Sequence, residues 1–430
     1  YESFESDPDN VTVHVVTITG LLPKGMLFNE DDPNSAFSGI YHFRVSSVDQ
    51  AGNPPTYSID LTFSTEEVPD ETPPVITVAP TTTVPLALTT DPLALQWRRV
   101  EMPGLSGAHQ WFDSVVAGGP GLIAVGSPNG LENEFIWTSA DGSEWSPAND
   151  EGIVGYGYAF DVAPGGPGYV AVGSSIWTSP DGITWTEAAR QGPIVGELRA
   201  VTAGGPGLVA VGRFSGGLAS VHTSTDGLSW SPIPQERAPE AQIDSEITDI
   251  VAGGPGLVAV GNYGLIGALW TSPDGFEWTR VPRDRAVFGS GSEGTEFSSI
   301  AAGDSGLVAV GRVTDDGTMG VWRSIDGLTW SVVPLDPEVL NESHALTTII
   351  STDAGFIAGG AAENHDAGVW FSPDGLAWTR LETGGALGGP GTQTVNDITV
   401  LGGDRIVAIG VEFVDGVDSE VVWIGEPVEE

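Results

Sequence analysis

The stretch Ile250-Val-Ala-Gly-Gly-Pro-Gly-Leu-Val-Ala-Val-Gly261, followed after a variable segment by Ala268-Leu-Trp-Thr-Ser-Pro-Asp-Gly-Phe-Glu-Trp-Thr-Arg-Val-Pro282, decides the fold. The same pattern is written seven times between Phe112 and Trp423. Its closing glycine falls at Gly126, Gly173, Gly212, Gly261, Gly311, Gly360 and Gly410. The period is about 47 residues, in the range of propeller blades and longer than helical or leucine-rich repeats.

Each repeat divides into four short apolar runs separated by turn chemistry. In the first copy these are Phe112 to Ala117, Leu122 to Val125, Phe135 to Ser139, and Trp145 with its neighbours. Gly118-Gly-Pro-Gly121 and Asp141-Gly142 supply tight turns, so the outer pairs read as hairpins. Four antiparallel strands stacked radially make a blade, and packing against neighbours buries both faces of the sheet. The seventh copy stops at Val421-Val-Trp-Ile-Gly425, before its Asp-Gly turn and fourth strand. Ahead of the first copy stands Gln96-Trp-Arg-Arg-Val-Glu-Met-Pro103, which parallels Glu277-Trp-Thr-Arg-Val-Pro282. The expectation is an all-β, seven-bladed β-propeller over 95–430, closed by a strand around Trp97 to Val100 that pairs with Val421 to Trp423. Such closure removes exposed sheet edges.

The turn after the third strand resembles the Asp-box of sialidases, sortilin and related (BNR) propellers, whose pattern is Ser-x-Asp-x-Gly-x-Thr-Trp. It reads Ser139-Ala-Asp-Gly-Ser-Glu-Trp145, Ser179-Pro-Asp-Gly-Ile-Thr-Trp185 and Ser224-Thr-Asp-Gly-Leu-Ser-Trp230, and recurs at Ser272 to Trp278, Ser324 to Trp330 and Ser372 to Trp378. Each copy is one residue shorter than the family pattern between Asp and Gly. The resemblance implies structural roles for Asp141, Asp181, Asp226, Asp274, Asp326 and Asp374, each accepting hydrogen bonds from its own turn, with the tryptophan plugging the gap between blades.

Residues 1–65 read differently. Val11-Thr-Val-His-Val-Val-Thr-Ile18, Tyr41-His-Phe-Arg-Val-Ser-Ser-Val48 and Tyr57-Ser-Ile-Asp-Leu-Thr-Phe63 alternate as half-buried strands do, with a turn at Asp49-Gln-Ala-Gly-Asn53. With Ile18-Thr-Gly-Leu-Leu-Pro23, they resemble the second half of a fibronectin type III or bacterial Ig-like domain. Three strands are legible where that family has about seven, so upstream sequence or a neighbouring chain is expected to complete the sheet. Residues 66–94, rich in Pro and Thr, read as an extended linker.

The formal net charge of −43 sets 58 acids against 15 basic residues, Lys24 being the single lysine. Such a field disfavours nucleic acid and anionic membrane surfaces as partners. Cysteine is absent, which excludes disulfides, thiolate metal sites and cysteine nucleophiles. No apolar run approaches the ~18 residues of a membrane-spanning helix. Six scattered histidines lack ligand spacing, and His222 stands where other copies carry Trp137, Trp177, Trp270, Trp322 or Trp370. Asp7, Asn29-Glu-Asp-Asp32 and Asp49 are either solvated acidic loops or a calcium site; no other cofactor is expected.

The Asp-Gly and Gly-Gly-Pro-Gly turns share one rim and are nearly uniform. The opposite rim carries variable loops, including 127–134, 148–157, 235–245, 283–296, 335–343 and 382–394. Binding on a rigid scaffold concentrates in variable loops, and the candidate binding residues are Trp111, Tyr158, Arg199, Arg213, Tyr263 and Arg312. The sialidase resemblance would imply an arginine triad, a tyrosine nucleophile paired with an acid, and an acid-base Asp. No spacing ties the arginines and tyrosines together, so the chain reads as no enzyme. The expected function is a structural or adhesive component of a bacterial surface or extracellular space, self-assembling or binding other surface proteins, and able to serve as the repeating subunit of a filament. The alternative is a glycan-binding lectin or sialidase-like carbohydrate-active enzyme using the variable rim.

Overall fold

The computed structural model describes four short strands within 40–64, then Leu88 and residues 91–427 except 101–110, 128–134, 153–156, 192–195, 235–236, 239–244, 265, 289–294, 314–318, 342–343 and 363–364. The strand read at Val11 to Ile18 and the acidic positions Asp7, Asn29 to Asp32 and Asp49 lie outside the described residues. Two compact units divide the chain, Tyr1–Thr83 and Val84–Glu430.

In the first unit, Ile40–Phe43 pairs antiparallel with Leu61–Ser64, and Ser46–Ser47 with Thr56–Tyr57. The two ladders are offset from one another by one residue.

The second unit is a ring of seven sheets. Blade 1 runs, from inside to outside, through Trp111–Gly118, Gly121–Ser127, Ile136–Ser139 and Ser146–Pro147. Blades 2 to 6 repeat this order from first strands Ala159–Gly165, Gly196–Gly204, Glu246–Gly253, Thr295–Gly303 and Ala345–Thr352. In blade 7 the order is Thr392–Leu401, Arg405–Val414, Val417–Pro427 and then Leu95–Val100. Val422 lies opposite Val100, Trp423 opposite Arg99 and Gly425 opposite Trp97. The first strand of each blade touches that of the next, and the blade 7 strand touches that of blade 1, so the first strands surround the axis. Asn149–Gly152 and Ala189–Arg190 add short parallel edge strands to blades 2 and 3.

Within the span read as linker, the buried Leu88 donates its amide to Asp353 Oδ1 at 2.7 Å. Pro92–Ala94 forms a 3-10 turn, capped by Asp91 through its side chain and the Leu93 amide.

Seven apolar clusters fill the seams between blades. The third-strand tryptophans Trp270, Trp322, Trp370 and Trp423 are fully buried there. Burying each such side chain contributes about 3 kcal/mol, so the seams hold the ring. His222 occupies the equivalent place in blade 3, buried, with its ring centroid 6.3 Å from that of Phe214.

The repeat glycines have a common cause. In every blade the first strand slips register at one place, for example between Phe112 and Ser114 or between Ile247 and Asp249. This bulge presses the preceding carbonyl against the second strand. A Cβ at Gly261 would sit 2.1 Å from the Glu246 carbonyl oxygen, and one at Gly126 would sit 1.7 Å from that of Trp111. Only glycine leaves room for the bulge.

Candidate functional site

The seven bulges place equivalent residues in three tiers around the axis. The rim tier, just ahead of each bulge, holds Trp111, Tyr158, Glu197, Glu246, Glu296, Ala345 and Thr394. The bulged residues are Asp113, Phe160, Arg199, Thr248, Ser298, Thr347 and Asn396. Below them a third tier carries Ser114, Asp161, Ala200, Asp249, Ser299, Thr348 and Asp397. Bulges re-aim side chains, and three of these reach the first strand of the next blade: Thr248 donates to the Phe297 carbonyl, Thr347 to that of Val395 and Asn396 to that of Phe112.

The upper two tiers form a continuous polar arc across blades 2, 3 and 4. Tyr158 Oη donates to Glu197 Oε1 at 3.0 Å, and Glu197 Oε2 meets Arg199 Nη2 at 2.8 Å. Arg199 Nε donates to Glu246 Oε1 at 2.7 Å, and Arg213 Nη1 lies 3.9 Å from Glu246 Oε2. The Arg199 guanidinium also stacks 4.1 Å from the centroid of Phe160, which packs 5.1 Å from the Tyr158 ring. Burial and then the Glu197 carboxylate push the Tyr158 hydroxyl up to about 12, so Tyr158 is a firm hydrogen-bond donor. On blades 6 and 7 the rim tier falls to Ala345 and Thr394, which leaves the end of the axis asymmetric.

Of the residues picked from sequence, Tyr158, Arg199 and Arg213 come together here. Trp111 holds the rim position of the neighbouring blade 1 and is 46% exposed. Arg312 repeats the arginine–acid pairing in blade 5, with its Nε 2.9 Å from Glu296 Oε2. Tyr263 lies apart, under the Arg280 guanidinium at 4.1 Å. Glu197, Glu246, Phe160 and Asp113 escaped the sequence reading. The alignment of the repeats on the closing glycines would have found them, because each stands at a fixed offset ahead of one.

The lowest tier is a belt of buried and half-buried side chains. Asp161 Oδ1 accepts from Ser114 Oγ of blade 1 at 2.9 Å, and its Oδ2 accepts from the Val201 amide of blade 3 at 2.7 Å. Asp249 Oδ2 accepts from Ser299 Oγ and the Ile300 amide of blade 5, at 2.8 and 2.9 Å. Asp397 links Thr348 of blade 6 to the Val115 amide of blade 1, at 2.9 and 2.8 Å. Ser299 Oγ accepts from the Ile349 amide of blade 6 at 3.3 Å. Between blades 3 and 4 the belt is broken by Ala200. Burial pushes Asp161 up to about 7 and Asp249 up to about 6, and it raises Asp397 as well.

Two further acids stand at the seam of blades 7 and 1. Burial pushes Asp113 up to about 7, opposed by a hydrogen bond from Ser127 Oγ at 3.1 Å and by Arg199. Glu420 Oε1 accepts from the Phe112 amide at 3.0 Å; its Oε2 is buried without a partner, and burial holds the carboxyl well above its ordinary range. On the other face of blade 7, the Arg99 guanidinium grips Glu412 with two bonds of 2.9 and 2.7 Å and holds its carboxyl low.

On the uniform rim, the Ser-x-Asp-Gly turns are self-contained. Asp326 Oδ1 accepts from the Leu328 and Thr329 amides at 2.9 and 2.7 Å, Ser324 Oγ accepts from the Gly327 amide at 2.8 Å, and Trp330 Nε1 donates to the Gly327 carbonyl at 3.0 Å. Asp181, Asp226, Asp274 and Asp374 each accept the same two amides; Asp141 accepts one, from Ser143. These amides hold the Asp181, Asp226, Asp326 and Asp374 carboxyls below their usual range. Among the described residues no group of three or more His, Asp or Glu is placed to hold a metal ion.

The tiers and seams define a seven-bladed β-propeller with a polar arc at one end of its axis. The chain belongs to the DUF6242 beta propeller domain family, whose model matches residues 91–338. Among solved structures it is similar to a protein of unknown function from Dyadobacter fermentans, at 16% identity over 77% of this chain and 98% of that one, with a TM-score of 0.46. It is also similar to U3-55K, at 12% identity over 77% and 98% of the two chains (TM-score 0.47). A third is a mutant Trypanosoma rangeli sialidase displaying trans-sialidase activity, at 12% identity over 76% and 58% (TM-score 0.40). No curated protein matches the chain.

Proposed function

We propose that this chain is a non-catalytic binding module of an extracellular or cell-surface protein, which engages its partner through the variable rim of the propeller. The observation that carries this reading is the arc Tyr158–Glu197–Arg199–Glu246. It spans three blades and its hydrogen bonds are already made, so it is pre-organised to bind. Within it, Arg199 is flanked by two carboxylates and Tyr158 holds its proton firmly, which supports recognition over catalysis.

In this reading the Asp-box-like turns are structural posts, and Leu95–Val100 locks the ring. The 1–65 module, as a partial fibronectin type III or Ig-like sheet, is the point of self-assembly or attachment to other surface proteins. Calcium bound by its acidic positions would favour that assembly by screening charge.

One observation favours a second reading, a sialidase-like carbohydrate-active enzyme: a tyrosine hydrogen-bonded to a glutamate beside Arg199 and Arg213. A single comparison separates the two. The full chain is offered to a glycan array and to fluorogenic glycosides, beside Tyr158→Phe and Arg199→Ala. Saturable binding that weakens at least tenfold in both variants, with no turnover, is the expected result. Turnover that disappears in both variants would establish the enzyme instead, and binding indifferent to both would remove the rim from either role.

A further inference from the structure

We propose that the axial end between blades 1 and 3 receives a cationic group carried by a partner, a guanidinium or primary ammonium such as an arginine or lysine side chain, held by Asp113 beside the aromatic residues of that arc. The proposal rests on the reading of this rim as the binding face, and it names the chemistry the face takes.

The chain already carries an internal example. Arg199 sits on the face of Phe160 at 4.1 Å while two carboxylates, Glu197 and Glu246, take its N–H groups. Aromatic faces and carboxylates together are what a guanidinium seeks. Blade 1 repeats half of that environment without its cation. At the two equivalent positions it places Trp111, half-exposed, and Asp113, half-buried, whose hydrogen-bond partner is the neutral hydroxyl of Ser127.

A second observation is independent of Asp113. Glu420 approaches from blade 7, anchored by one oxygen to the Phe112 amide, with its other oxygen buried and unpartnered. Neither acid forms an ion pair with a basic residue among the described contacts. A desolvated carboxylate without a counter-charge is costly and is relieved by a proton or a cation. An anionic ligand finds no complement here, because Arg199 and Arg213 both face Glu246. The net charge of −43 raises the local concentration of cationic partners.

The charged and titratable groups around Asp113 set the pH response. Arg199 reaches it from blade 3 and lowers its pKa; Glu420, with Asp418 beside it, faces it from blade 7. Asp161 and Asp397 stand one tier below, on the adjoining first strands of blades 2 and 7, and Glu412 lies on the second strand of blade 7. With Asp113 titrating at about 7 in the free protein, the binding-competent carboxylate is lost as pH falls through that value.

The test is calorimetric titration of the full chain with argininamide at pH 8, beside citrulline amide as the neutral analogue and calcium chloride as a bare cation. Argininamide is expected to bind saturably, at least tenfold more tightly than citrulline amide. Binding should weaken at least tenfold in Asp113→Asn, and should weaken in Trp111→Ala, where an exposed side chain is removed and the fold is kept. Glu277→Gln, which removes one charge from the opposite rim, should leave binding unchanged. Lowering the pH from 8 to 6 should weaken it. No saturable binding, equal binding of the citrulline analogue, or equal binding by Asp113→Asn and Trp111→Ala would overturn the proposal. So would Asp113-dependent uptake of calcium without argininamide. Rim-dependent glycan binding without argininamide binding would overturn this inference alone and leave the binding module standing.

Discussion

Asp161 in blade 2 accepts a 2.9 Å hydrogen bond from Ser114 in blade 1 while its second oxygen takes the Val201 amide of blade 3, so one carboxyl spans three blades. Asp161 titrates at about 7 and Asp249 at about 6, against 3.8 for a free aspartate. A raised folded-state pKa means the native ring binds protons more readily than the unfolded chain. Stability from these groups is therefore greatest below about pH 4 and declines as pH rises through about 6 to 7. The melting temperature is expected to rise on acidification from pH 8 to 5, and Asp161→Asn should flatten that slope. A slope unchanged in the variant would remove Asp161 as its source.

The turn aspartates Asp181, Asp226, Asp326 and Asp374 behave in the opposite sense. Their carboxyls are held low by turn amides, so their contribution is present above about pH 4 and lost as pH falls below it. With the belt, this gives a stability maximum near pH 4, which thermal scans across pH 2.5–8.5 would locate.

Asp274→Ala removes the acceptor of the Phe276 and Glu277 amides. A loss of about 1–2 kcal/mol is expected, as for other caps of exposed backbone donors. The melting temperature should fall while ligand affinity on the other rim stays unchanged. Lost affinity at full stability would place Asp274 in a binding site.

Gly261→Ala puts a methyl group 2.1 Å from the Glu246 carbonyl oxygen. The bulge must then shift, at a cost of at least the ~1–3 kcal/mol typical of overpacking. Because Thr248 is the bulged residue and Glu246 stands just ahead of it, the Arg199–Glu246 bond should be disturbed too. Chemical denaturation with parallel ligand titration would register both effects, and a fully neutral substitution would refute the account of the glycine.

Trp97 is buried in the seam cluster of blades 6 and 7 and lies against Gly425. Trp97→Ala is expected to cost about 3 kcal/mol or more. Deleting 95–102 should leave Val417–Pro427 with an open edge and cause aggregation, measurable by light scattering. A monomeric deletion variant would show that this edge needs no partner.

The architecture was legible because seven blades share one solution to the same problem: glycine where a carbonyl crowds the second strand, tryptophan where a seam must be filled, Asp-Gly where the chain reverses. The functional end was legible only in part. Tyr158, Arg199 and Arg213 stood out by residue type, but what joins them are Glu197 and Glu246, two acids among 58. The belt was hidden for a similar reason. Asp161, Asp249 and Asp397 occur in three of seven repeats, and their partners in neighbouring blades lie 40 or more residues away, so no local pattern marks them.

The break in the belt at Ala200 has a mechanical consequence. A hoop with one missing link concentrates deformation there, and at this joint the upper tiers supply Arg199–Glu246, a pair of full charges, where other joints have hydrogen bonds from neutral donors. Salt screens the first and spares the second. Rising ionic strength should therefore slacken the ring at one joint only, seen as faster amide exchange in 246–250 than in 298–301. A guest that braces Arg199 and Glu246 would tighten that joint, so occupancy of the axial end would register as stiffness of the whole wheel.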